Sequence, residues 1–235
     1  MRDPVNEKNS MLYAFLHGVA AIAFRTVLPV RFHHPERVRM DPPYVMIANH
    51  ICALDPAVVA YPLKKTQAVF LAKKVLDKNR FVHWFMTHMN CVFIEPETRD
   101  LGAMRQCFRA LKMGKPLVVF PEGTRFHATQ MEEIQNGASF LILRGRVPVL
   151  PVYLDRKVRP FRITNAWYGD PIPVEDLLAK GVNAETCEQL NERMRETFRQ
   201  MIREAEAEQP RGKRRGSRRS GERRVFRDNE EEETK

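Results

Sequence analysis

No two cysteines of this chain stand at a metal-ligand spacing. The four lie at positions 52, 91, 107 and 187, with no CxxC among them. That argues against the usual zinc-finger and redox-pair chemistries. So few thiols in 235 residues fit a protein whose cysteines stay reduced in a cytosolic setting. Histidine clusters are lacking too. His83 and His88 are five apart rather than the three or four that share a helix face, and His33 and His34 are adjacent. No metal site is expected. No internal repeat is visible, and long apolar runs are missing. The nearest approach, Met11 to Phe24, is broken only by His17 and Gly18 and is followed by Arg25 and Pro29. It falls short of the ~20 residues a spanning helix needs. It reads as an interfacial helix that docks on a membrane. A core helix and a cleaved leader are the alternatives. Ala21-Ile22-Ala23 resembles a cleavage site, but Arg2 and Lys8 are offset by Asp3 and Glu7, so no basic leader region stands out.

What the chain does have is positive charge. The formal net charge is +10, of which the segment from Pro210 onward, with ten Lys/Arg and six Asp/Glu, holds +4. The body therefore keeps +6 and suits an anionic partner: a phospholipid surface, a phosphate ester, an acidic carrier protein or nucleic acid. Aromatic residues are not interleaved with the basic block, and no base-reading motif is present, so nucleic acid is not expected. From Gln209 the sequence loses apolar periodicity and runs from a basic block into an acidic one. Such a segment buries too little surface to order itself and reads as a disordered tail.

Between these ends the apolar pattern alternates. Runs at 44–48, 68–72, 91–94, 116–120 and 147–154 are rich in β-branched residues, and another strand is expected near 161–168. Helical patterns lie between or after them at 79–89, 99–113, 137–143 and 185–205, with Gly114 placed as a helix stop. Strand–helix alternation predicts an α/β fold: a mostly parallel, mixed sheet flanked by helices, with the N-terminal docking helix added. The expected organisation is residues 1–30 as the membrane-associated helix, 31–208 as the main domain and 209–235 as the tail.

Three strand ends carry polar residues suited to chemistry. The run Tyr44–Ala48 stops on Asn49-His50, and Asp55 follows five residues after the histidine. A histidine there can accept and return a proton near neutral pH, and a carboxylate one turn on can fix its tautomer. The plain alternative is a strand end with Asp55 capping the next helix and Pro56 at its first position. Asn49 could hold the loop or position a water. Cys52 could act as a nucleophile, but a tight turn rarely gives the geometry, so packing is its expected role. Phe120-Pro121-Glu122-Gly123-Thr124-Arg125 follows another strand. Gly123 lets backbone amides approach an anion, and Arg125 offers a planar fork to phosphate. Glu122 could hold a hydroxyl or lock a basic side chain. Lys73-Lys74 closes a third strand and is a phosphate candidate or merely solvated. In a parallel sheet these strand ends gather on one edge.

Taken together, Asn49-His50-x4-Asp55 and Phe120–Arg125 resemble the glycerolipid acyltransferase family, on the side of its bacterial 1-acyl-sn-glycerol-3-phosphate acyltransferases. Ala72-Lys73-Lys74, Cys91–Glu95, Gly137-Ala138, Val147–Val152 and Gly169–Ile172 support the match, which covers roughly residues 25–175. The resemblance implies transfer of a fatty acyl group from a thioester to the sn-2 hydroxyl of 1-acylglycerol 3-phosphate, giving phosphatidate. His50 would be the general base and Asp55 its support. Lys73, Glu122, Gly123, Thr124 and Arg125 would bind the substrate phosphate. No cofactor is implied; acyl-coenzyme A or acyl carrier protein is the co-substrate. The implied location is the cytoplasmic face of the cell membrane, peripheral or monotopic. The sequence departs from the family pattern in three places. Cys52 stands where Ser or Thr is frequent. Glu95-Pro96 replaces the usual Asp-Arg, with Arg99 a possible substitute. Gln135-Asn136 replaces basic residues. These changes make another lysophospholipid or lipid alcohol the alternative acceptor, and an inactive membrane scaffold the non-enzyme alternative.

Overall fold

The structure is a computed structural model that describes residues 5, 11–41, 43–64, 66–77, 79–95, 100–122, 131 and 134–208. The chain divides into two compact units, Met1–Ile202 and Arg203–Lys235. Among the described residues seven strands occur, all in the first unit: β1 (Val30–His33), β2 (Val45–Ala48), β3 (Val69–Lys73), β4 (Cys91–Ile94), β5 (Leu117–Val119), β6 (Val149–Leu154) and β7 (Thr164–Tyr168). The helices are α1 (Met11–Ala23), α2 (Asp55–Ala60), α3 (Arg80–His88), α4 (Leu101–Lys112), α5 (Asn136–Gly145), α6 (Glu175–Ala179) and α7 (Ala184–Glu208). The part of the second unit that is described is the last turns of α7; the expected tail, 209–235, lies outside the described residues.

The strands form one sheet in the order β1-β7-β6-β2-β5-β3-β4. All pairs are parallel except β6 with β7. The expected mixed, mostly parallel sheet is therefore present. Central strands covered on both faces should be continuously apolar rather than alternating. β2 meets that condition, with Val45, Met46, Ile47 and Ala48 all at 0% exposure.

Local chemistry sets the helix ends. Asn79 accepts from the amides of Phe81 and Val82 and starts α3. Asp100 accepts from Ala103 N at 2.9 Å and starts α4. α4 stops where the sequence placed its stop. Gly114, at φ +70°, donates to Leu111 O, and Lys115 N donates to Ala110 O at 3.0 Å, the paired bonds of a Schellman end. Two elements escaped the sequence pattern. β1 is a four-residue edge strand with only two apolar residues, and α6 is a five-residue helix.

α1 occupies the expected segment but has no buried residue. It is held by a ring stack. His17 lies on Tyr61 with centroids 4.9 Å apart and an interplanar angle of 10°, and Tyr61 in turn stacks on Phe32 at 5.1 Å. His17 Nε2 donates to the Tyr61 carbonyl at 2.9 Å. No helix among the described residues is long and apolar enough to cross a membrane.

Candidate active site

β2 ends beside β5 and β6, and the polypeptide leaves it through Asn49 and His50. Asn49 is fully buried. Its side chain closes a two-way bond with the end of β6, donating to Leu154 O at 3.0 Å and accepting from Leu154 N at 2.8 Å. Its amide is thus committed to pinning the two strand ends together.

His50 then turns into the loop before α2. Its Nδ1 lies 3.0 Å from Asp55 Oδ2. Asp55 is fully buried. The same carboxylate oxygen accepts from the amides of Ile51 at 2.5 Å and Cys52 at 2.6 Å, and Oδ1 accepts from the Cys52 thiol at 3.0 Å. Asp55 is the first residue of α2, with Leu54 at the cap position and Pro56 next. The capping role considered from sequence gives way to a different one: the carboxylate folds back over the loop that precedes the helix. With Nδ1–H directed at Asp55, the imidazole keeps its lone pair on Nε2.

Two further residues place the ring. Phe120 stacks on His50 at 4.3 Å. Glu122 Oε2 accepts from His50 N at 3.1 Å. Glu122 is 5% exposed, and burial pushes its pKa up, opposed by the His50 and Met131 amides that it accepts from. The carboxylate that the family resemblance placed beside phosphate is bonded to backbone, at the base of the histidine loop. Gly123, Thr124 and Arg125 lie outside the described residues, as does Arg99.

His50 and Lys73 both line a cleft of about 1920 Å³. Its walls are largely apolar, with Leu16 and Ala20 from α1, Leu71 from β3, Ile94 from β4, Met104 from α4 and Phe140 from α5. Small-molecule pockets usually run to about 1,000 Å³, so this cleft has room for a long apolar chain together with a second ligand. Lys73 and Lys74 part company at the end of β3. Lys74 Nζ pairs with Glu95 Oε1 at 2.5 Å across the surface, whereas Lys73 faces the cleft.

Cys52 is not a nucleophile in this arrangement. It is 6% exposed, and burial, followed by its bond to the Asp55 carboxylate, pushes its thiol up. Cys91 and Cys107 are pushed up to about 12 by burial, and all four cysteines are free thiols. Among the described residues no group of three or more metal-ligating side chains is gathered.

Sequence reasoning found His50, Asp55 and Lys73 in the places where the structure gathers them. It did not anticipate Phe120 against the imidazole or α1 as a wall of the cleft. An aromatic at a strand end gives no signal in sequence, and a helix that covers a cavity looks like any amphipathic helix.

A buried carboxylate bonded to an imidazole that lines a large, mostly apolar cleft, at the end of a central strand of a mostly parallel sheet, is an arrangement suited to an enzyme. The model of the Acyltransferase family matches residues 29–155, more than half of the chain, and the protein belongs to that family. It is an acyltransferase. It is 25% identical over 196 residues to the 1-acyl-sn-glycerol-3-phosphate acyltransferase of Streptococcus pneumoniae, covering 80% of this chain and 72% of that one. Against the enzyme of the same name from Saccharomyces cerevisiae it is 32% identical over 115 residues, 47% of this chain and 38% of the yeast protein. The chain thus spans less than half of the yeast relative. The crystal structure of the 1-acyl-sn-glycerophosphate (LPA) acyltransferase from Thermotoga maritima superposes with a TM-score of 0.62 at 24% identity, covering 83% of this chain and 78% of that one. That likeness establishes the fold.

Proposed function

We propose that this acyltransferase moves a fatty acyl group from a thioester to the sn-2 hydroxyl of 1-acylglycerol 3-phosphate, making phosphatidate. The observation that carries the reading is the 3.0 Å bond between His50 Nδ1 and buried Asp55, on the wall of the apolar cleft. His50 Nε2 takes the proton of the acceptor hydroxyl as the oxygen attacks the thioester carbonyl. The tetrahedral intermediate collapses, the carbon–sulfur bond breaks, and His50 returns the proton to the leaving thiolate. Asp55 stabilises the imidazolium between those steps, and no acyl-enzyme forms. Lys73, Thr124 and Arg125 bind the phosphate together with the Gly123 backbone, while Glu122 steadies the His50 loop. The donor is acyl-coenzyme A or acyl carrier protein.

The reaction takes place at a membrane, on its cytoplasmic face, with the protein peripheral or monotopic. This rests on the outward apolar residues Met11, Phe15 and Ile22 of α1, which are 90%, 67% and 68% exposed. A second reading has its own observation. Glu95 neutralises Lys74, so less positive charge is left for a phosphate at the end of β3. Another lysophospholipid or a lipid alcohol would tolerate that loss.

The test is acyl transfer by the purified protein in lipid or detergent, with both thioester donors and a panel of lysolipids. Lysophosphatidate is expected to be the best acceptor. His50→Ala and Asp55→Asn are each expected to lose about 10²–10⁴-fold in kcat, the usual worth of general-base assistance. Activity retained in His50→Ala would refute the mechanism. Preference for a lysolipid lacking a free phosphomonoester would move the assignment to the second reading.

A further inference from the structure

Asp55 is the hub of the site, and its two oxygens are used differently. Oδ2 accepts from His50 Nδ1 and from the amides of Ile51 and Cys52. Among the described residues the donor seen on Oδ1 is the Cys52 thiol, at 3.0 Å. An ionised carboxylate can only accept, so the S–H is directed at it. Cys52 is buried and is not part of the cleft wall, although Ala53 and Leu54 are. It therefore meets Asp55 and not the substrate.

We propose that Cys52 is a positioning residue of the His50–Asp55 pair, its thiol holding Asp55 Oδ1 and setting how much carboxylate charge acts on the imidazole. The proposal deepens the reading of His50 as the base and rests on it. A hydrogen bond to a carboxylate stabilises the anion and withdraws charge from its other partners. A thiol is a weak donor. It therefore satisfies a buried oxygen while leaving the imidazolium strongly stabilised. A hydroxyl in its place draws more charge away, and a methyl draws none. The sign follows. Removing the donor raises the His50 pKa and moves the acid limb of the rate profile to higher pH, because the base works only when neutral.

Other charges bear on the pair. Glu122, from the turn after β5, accepts from the His50 amide. Lys73, from the end of β3, lines the same cleft. Asp155, after β6, is bonded to Arg156 at 3.0 Å and to Asn165 N at 2.8 Å. None of these is altered by a change at position 52.

The experiment is a pH titration of the His50 ring by NMR in the full chain, alongside the pH profile of kcat/KM, for wild type, Cys52→Ser and Cys52→Ala. Cys52→Ala is expected to raise the ring pKa and the acid limb together by about 0.5–1 unit. Cys52→Ser is expected to hold both at or below the wild-type values. Equal ring pKa values in all three proteins would overturn the proposal and make Cys52 a packing residue. Should Cys52→Ala not fold, the comparison of Cys52→Ser with wild type still decides, since an upward ring shift there contradicts the stronger hydroxyl donor. A ring pKa that moves while the acid limb stays fixed would uphold the coupling and remove His50 from the role of base.

Discussion

Glu122 shows how a single buried carboxylate can act through the backbone of a neighbouring loop. Its oxygen holds the His50 amide, and burial raises its pKa. A raised carboxylate pKa means that the folded protein binds the proton more tightly than the unfolded chain does. Glu122 therefore favours folding most below its ordinary value of 4.5, and that contribution is lost as pH rises through its folded-state value. Glu122→Gln removes the titration. Its stability relative to wild type is expected to climb as pH rises above 4.5 and then level off, as read by urea denaturation across a pH series. A constant difference across the series would contradict the assignment. The same residue illustrates what a motif hides. Phe120–Arg125 marks the site, but only the fold shows Phe120 stacked on the imidazole and Glu122 bonded to its backbone.

Among the elements, the β6–β7 pair carries a close approach that the sequence marks only as a turn. Gly169 follows β7, and its amide donates to Pro151 O at 2.9 Å. A Cβ at 169 would meet Pro151 Cγ at 2.8 Å and Met201 Sδ at 2.9 Å. The methionine can turn aside, but the proline ring, fixed in β6, cannot. Gly169→Ala is expected to cost about 1–3 kcal/mol by overpacking, seen as a lower urea midpoint with an unchanged slope. The loss should not alter the pH profile, since Gly169 lies apart from the His50 loop in sequence and makes none of its hydrogen bonds. Other elements were legible at once. β2, β4 and β6 are apolar runs closed by polar residues, and α4 carries its own cap and stop. β1 was hidden because two of its four residues are polar and its partner, β7, lies more than a hundred residues further on.

At the scale of the whole molecule, several exposed apolar side chains lie on the N-terminal helix and on the elements around the cleft. Phe15 and Ile22 on α1, Phe81 and Trp84 on α3, Val75 before it and Leu101 at the start of α4 are all large and exposed. Val75 and Leu101 also line the cleft that holds His50, so part of this surface continues into the site. Such a surface, on a chain of net charge +10, suits an anionic bilayer. Phe15→Asp with Ile22→Asp is expected to reduce co-sedimentation with phosphatidylglycerol-containing vesicles at least tenfold, and raised salt should weaken what binding remains. Activity toward a short-chain acceptor dispersed in detergent should survive the double change. Undiminished vesicle binding would show that α1 faces something other than lipid.

Local pattern was enough to determine every strand of the sheet but the edge strand β1, most of the helices between them, and the placing of His50, Asp55 and Lys73 at strand ends. The reason is that apolar periodicity, caps and strand-end polarity are encoded within a few residues of one another, and parallel strands bring their C-terminal ends together. Tertiary structure alone decided the rest. It turned β7 antiparallel, committed Asn49 to Leu154, bonded Glu122 to the histidine amide and laid α1 along the cleft. The Asn49 and Glu122 bonds join residues 105 and 72 positions apart in the chain, and a buried polar group takes whichever partner the packed fold brings within reach.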